Sequence, residues 1–160
     1  MEQLSTSSNM TLSVTVMGDF PLPKGLTRDS LHSLIHFALE AGGAAGDWEI
    51  GMIFISDEVI QDMHKDFMGL DSPTDIMTFP YGPPVFLAQE PVNSGGDIVI
   101  SMETASVNAV NAGWRLRDEL EFLVLHGVLH ILGWDDADPE ARAAMLARQT
   151  TLLGEWRALA

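Results

Sequence analysis

The stretch LVLHGVLHIL (123–132) is apolar at every position but two, and the two exceptions are histidines. It predicts a helix over 117–132 whose apolar surface must be packed against a sheet. His126 and His130 then lie one turn apart on one face, where both rings can reach one ion. Gly133 follows the last turn, and a glycine there can take the left-handed conformation that reverses the chain, so that Asp136 swings back toward the imidazoles. The whole pattern is HxxxHxxGxxD. Two nitrogens and one carboxylate oxygen make a three-ligand divalent site with one position open, the arrangement that activates a water. The plainer reading is a pair of buried histidines satisfied by hydrogen bonds. A comparison comes from RDSLHSLIHFALEAG (28–42), where His32 and His36 have the same spacing. There Leu31, Leu34, Ile35, Ala38 and Leu39 mark the buried stripe, no reversing glycine with a following ligand completes the set, and both histidines are expected to be mostly solvated.

With 160 residues and 46% apolar composition, the chain has the material for one core. The expected organisation is a flexible tail over 1–10 and a single domain over 11–160. There is no cysteine, which excludes disulfides, thiolate zinc sites and cysteine nucleophiles. MEQLSTSSNM lacks the basic and apolar regions of a secretory signal and no apolar run is long enough for a bilayer, so a cytoplasmic protein without membrane contact is expected. The formal net charge of −15, with only 8 Lys and Arg, argues against broad attraction to nucleic acid. Any such contact must be local, or assisted by a metal or a basic partner.

Along the chain, TLSVTVM (11–17) alternates like a strand and is followed by a helix over 28–41. WEIGMIFIS (48–56) reads as a second strand, and Ser56 or Asp57 caps a helix that ends by Gly69. TDIMTFP (74–80) is a third strand, 81–96 a long loop, and GDIVIS (96–101) a fourth strand. A short helix over 103–111 precedes the histidine helix. Asp138, Pro139 and Glu140 mark the start of a last helix to about 157, with Met145, Leu146, Leu152, Leu153 and Trp156 as core contacts. The fold class expected is α+β, a four-stranded mixed sheet with about five helices, one of them a zincin-like metal-binding helix.

Zincin metalloproteases carry HExxH, with a glutamate after the first histidine as general base. Here that position is Gly127, which cannot move a proton, so peptide hydrolysis by that route is disfavoured. HGVLHILGWDD (126–136) instead resembles the HGxLHLxGYDH signature of the YbeY family of bacterial rRNA maturation endoribonucleases. GDIVISMETA (96–105), RDELEFLVLHG (117–127) and GLDSPTDIMTFP (69–80) are similar to further segments of that family, in its order. Three positions depart from it. Asp136 stands for the family's third histidine, Met68 for an arginine suited to holding phosphate, and His64, read as a surface helix residue, for an asparagine.

The resemblance implies a metal-dependent cut in single-stranded RNA during maturation and quality control of the small ribosomal subunit. The cofactor would be one divalent ion per chain, most plausibly zinc, on His126, His130 and Asp136. His126 and Asp135 are the catalytic candidates, with Asp135 equally readable as a turn residue or as an acceptor fixing a histidine. Thr74 and Asp75 are candidates for a groove edge near the metal, against a local structural role. Lys65 and Arg117 are the remaining candidates for phosphate contact, against simple solvation. The alternative function is a non-catalytic assembly factor with a structural metal, docking its acidic surface on a basic ribosomal protein or an assembly GTPase.

Overall fold

Apolar alternation and helix stops set the element order. The computed structural model describes residues 10–69, 74–81 and 94–159. In chain order it contains β1 (Met10–Gly18), α1 (Arg28–Ala41), β2 (Gly46–Ile55), α2 (Asp57–Met68), β3 (Ile76–Pro80), β4 (Ser94–Ser101), α3 (Met102–Ala112), α4 (Leu116–Leu132) and α5 (Pro139–Ala158). The four strands form one mixed sheet in the order β1-β2-β4-β3. β1, β2 and β4 run parallel, and β3 pairs antiparallel with β4 at the edge. The fold is α+β, as its patterning implies.

Successive residues of a strand face opposite sides of the sheet; one side is covered along its whole width, the other only toward β4 and β3, while Thr11, Ser13, Thr15 and Met17 of β1 are exposed. On one side Ile98, Ile100, Met52 and Phe54 join Leu31, Leu34, Ile35 and Leu39 of α1 and Val124, Leu125 and Val128 of α4 in the main core. On the other, Val99 and Met77 pack with Ile60 of α2. Gly127 allows the close approach of α4 to the sheet, because a Cβ at this position would lie 2.9 Å from Ile98 side-chain carbon. α5 lies on α4 and is pinned by Arg157, whose Nη2 donates to Asp118 and Glu121 at 2.8 Å.

The start of α2 is tied to the β4–α3 junction. Ser56 caps the helix through Val59 N–H, and the Asp57 backbone N–H donates to Glu103 at 2.8 Å. The Asp57 carboxylate accepts from the Ser101 and Thr104 hydroxyls, and those bonds, Ser101 first, hold its pKa below the ordinary value. This junction fixes the path of α2 beside β3, and so the place of His64 and Met68.

Several details differ from the sequence reading. Met10 is buried in β1 rather than part of a tail, while 1–9 lie outside the described residues. β3 begins at Ile76, with Thr74 and Asp75 ahead of it. β4 begins at Ser94 instead of Gly96, and the rest of the long segment read as a loop, 82–93, lies outside the described residues. His32 and His36 are half-buried and stacked on one another, and His32 Nε2 lies 3.0 Å from the Leu12 carbonyl oxygen; β1 supplies a partner that helix periodicity cannot show.

Candidate metal centre

α4 presents His126 and His130 from its last turns. Gly133 then adopts φ +111°, with its N–H bonded to the His130 carbonyl and the Trp134 N–H bonded to the Leu129 carbonyl at 3.0 Å each. This pair of bonds is a Schellman ending, and it turns the chain so that Asp136 faces the histidines. Asp135 closes the same turn, its Oδ1 accepting from Ala137 N–H at 3.1 Å. Gly133→Ala should therefore lower stability by about 1–2 kcal/mol, the cost of a left-handed residue with a Cβ, and weaken metal binding with it. Thermal melts and metal titration of the variant check both.

The three candidate ligand atoms converge. His126 Nε2 and His130 Nε2 are 3.0 Å apart, and each lies 3.6 Å from Asp136 Oδ2. Donors held about 2.0–2.2 Å from a tetrahedral ion are separated by about 3.4 Å, so the spacing fits one ion. The proton positions argue the same way. Gln149, buried between α5 and α4, donates its Nε2 to the Phe122 carbonyl at 2.8 Å, which turns its Oε1 toward His126 Nδ1 at 3.2 Å. His130 Nδ1 faces the Trp134 carbonyl at 3.1 Å. Both Nδ1 atoms meet oxygen acceptors and so carry the hydrogen, which leaves two Nε2 lone pairs pointing at one another beside a carboxylate. A cation relieves that arrangement. Burial also pushes the His126 pKa below the ordinary histidine value, favouring the neutral ring that ligates metal.

The donors open into a groove of about 440 Å³ that is also lined by Thr74, Asp75, His64 and Met68. Thr74 and Asp75 thus lie beside the donors, with Thr74 Oγ1 donating to the Ile76 carbonyl and Asp75 accepting from Asn108 Nδ2 at 3.5 Å. His64, read from sequence as a surface residue, is half-buried in this groove, and Met68 is 62% exposed at its edge. The structure does not bring the other candidates here. Lys65 is exposed on α2 and Asp135 is exposed in its turn, and neither lines the groove. Arg117 sits against Gly25 at the start of α4, within 3.9 Å of Asp118 and Glu121. Gln149 was missed by the sequence reading. Its signal was a polar residue in register with Met145, Leu152 and Leu153, the buried stripe of α5.

The fold and the donor cluster place the chain among α+β proteins with a candidate divalent-metal site at the end of a core helix. Sequence comparison narrows the class. The sequence model of the family described as Endoribonuclease YbeY matches residues 19–157. An Endoribonuclease YbeY of Salinispora tropica is 36% identical over 138 residues, covering 81% of this chain and 87% of the relative. That of Mycolicibacterium smegmatis is 37% identical over 138 residues, covering 82% and 76%. The solution structure of a Thermotoga maritima protein superposes with a TM-score of 0.55 at 27% identity, covering 91% of this chain and 93% of the other. The chain belongs to the YbeY family.

Proposed function

We propose that this protein is a metal-dependent endoribonuclease that cuts single-stranded RNA in the maturation and quality control of small-subunit ribosomal RNA. Its relatives bear the name endoribonuclease, and the observation that carries the reading on this chain is the pair of facing Nε2 lone pairs, closed by Asp136, at the head of a groove. The residues that would hold the ion are His126, His130 and Asp136, with zinc favoured by two nitrogens and one oxygen. When bound, the ion supplies Lewis-acid stabilisation of phosphoryl charge and activation of water.

The rest of the work falls to the chain's own groups. Gln149 and the Trp134 carbonyl keep both rings in the ligating tautomer. Thr74 and Asp75 form the edge against which the strand is laid, and His64 and Asp75 are groove groups able to accept or pass on a proton. Asp135 shapes the turn that presents Asp136. Lys65 and Arg117 lie away from the groove, so their contribution to phosphate contact is at most through the wider surface field. Gly127 faces Ile98 in the core, which argues against a protease with its base at that position. The non-catalytic alternative, an acidic factor docking on a basic ribosomal protein or an assembly GTPase, draws on the net charge of −15.

Two expected results test the reading. Gln149→Leu keeps the volume but removes the acceptor for His126, and metal affinity should fall roughly 10–100-fold, the usual cost of losing such a partner. Unchanged affinity in a titration would mean that the tautomer is set elsewhere. Met68→Arg should fold well, because the position is exposed. It should raise binding and cleavage of a single-stranded RNA oligomer by about tenfold, with a gain that shrinks as salt rises. A folded variant with no gain in either would count against RNA passing over the α2 edge of the groove, and absence of cleavage by the parent protein would favour the assembly-factor reading.

A further inference from the structure

On the other side of the metal donors lies a second chamber, of about 650 Å³, which shares Asp75, Ile76, His126 and Asp136 with the groove. Its size is that of a small-molecule site rather than of a packing defect. Apolar and polar groups share its walls: Trp114 and Phe122 meet edge to face at 5.7 Å with Met145 and Leu146 of α5 among the lining residues, while Asp75, Glu119 and Asp136 bring carboxylates to it. Trp114 is held in place, since its Nε1 donates to Glu119 Oε1 at 3.0 Å. Glu119 is itself buried, and burial pushes its pKa above the ordinary carboxylate value, partly offset by that bond. A fixed indole with apolar neighbours is a stacking platform already formed before any ligand arrives.

The chamber also holds a cation that sequence order concealed. Arg142, in the first turn of α5, is exposed and is the only Lys or Arg lining either chamber or groove among the described residues. Its backbone N–H bonds to Asp138, but its guanidinium has no hydrogen bond or ion pair among the described residues. Arg115, Arg117 and Arg157 are by contrast all engaged with Asp118 or Glu121. A guanidinium unpaired among the described residues, lining the same chamber as an indole and the candidate donors His126 and Asp136, suits an aromatic base attached to a phosphate.

We propose that this chamber is a nucleotide subsite, in which the base adjoining the scissile phosphate lies against Trp114 and Arg142 holds the neighbouring phosphate, standing in for the cation absent at Met68. The assignment rests on the ribonuclease reading for the identity of the strand, but not for the binding itself. Asn111, exposed on the rim, offers an amide that can read the edge of the base.

The test is calorimetric binding of the four ribonucleoside 5′-monophosphates and of ribose 5-phosphate to the metal-loaded protein. At least one nucleotide should bind about tenfold or more tightly than ribose 5-phosphate, the difference being the stacked base. Arg142→Ala, at an exposed helix position, should weaken nucleotide binding about tenfold or more and reduce the salt dependence. Ala112→Phe, which fills the rim from the exposed end of α3, should erase the preference for nucleotide over ribose 5-phosphate. Equal affinity for nucleotide and ribose 5-phosphate, or an Arg142→Ala protein that binds nucleotide as the parent does, overturns the proposal. RNA cleavage is scored separately on the same proteins. Cleavage with no nucleotide preference sinks the subsite and leaves the ribonuclease reading standing, whereas an Arg142-dependent preference without cleavage does the reverse.

Discussion

His126→Ala should empty the metal centre and abolish RNA cleavage while leaving the domain folded. The side chain is half-buried at the end of α4 and its replacement leaves the core residues Leu125, Val128 and Leu129 in place. What disappears is one of two Nε2 donors, and with it the anchor that Gln149 provides. Two remaining donors leave the ion half open to water, so affinity should fall by more than the roughly 10–100-fold expected for loss of an outer partner. Metal analysis after dialysis, joined to a melt, reads both effects. A folded variant that retains the parent's metal content would show that the ion is held by other residues.

Gly127→Glu should be strongly destabilising. It would recreate the zincin spacing, with an acid after the first histidine, yet the position points into the sheet. A Cβ alone would come within 2.9–3.0 Å of three Ile98 side-chain carbons, and the carboxylate would enter a buried position of α4 that faces apolar side chains. Overpacking costs about 1–3 kcal/mol, and an unpaired buried acid adds several more. The sum is comparable to the whole stability of a domain, about 5–15 kcal/mol. Gly127→Ala should show the first part alone. Denaturant midpoints in the order parent, alanine, glutamate are expected, and a stable Gly127→Glu protein with peptidase activity would contradict the packing described for α4.

The local signals of this chain are strong enough that most elements and the donor triad are legible in sequence. The stripe Leu31, Leu34, Ile35, Ala38 and Leu39 is the buried face of α1, and Gly133 ends α4 in the left-handed conformation its position suggested. Failures occur where a distant element decides. Gly95 looks like a loop residue, yet it pairs with Glu49 of β2 and has φ +147° with the Glu49 carbonyl so close that no Cβ fits. There glycine marks close backbone approach within a strand. His32 finds the Leu12 carbonyl, and His64 turns into the groove because α2 is fixed by the Asp57 junction. Arg142 is six residues beyond Asp136 and belongs to a different helix, so sequence order placed it with α5 and not with the site.

Metal content and single-stranded RNA cleavage, measured on one preparation before chelation, after chelation and after return of zinc, decide whether a bound ion carries the activity. About one ion per chain is expected, with cleavage lost when the ion is removed and regained with it, and neither property in a folded His126→Ala protein. Cleavage that continues at full rate in protein stripped of metal, and equally in His126→Ala, would contradict that role of the ion.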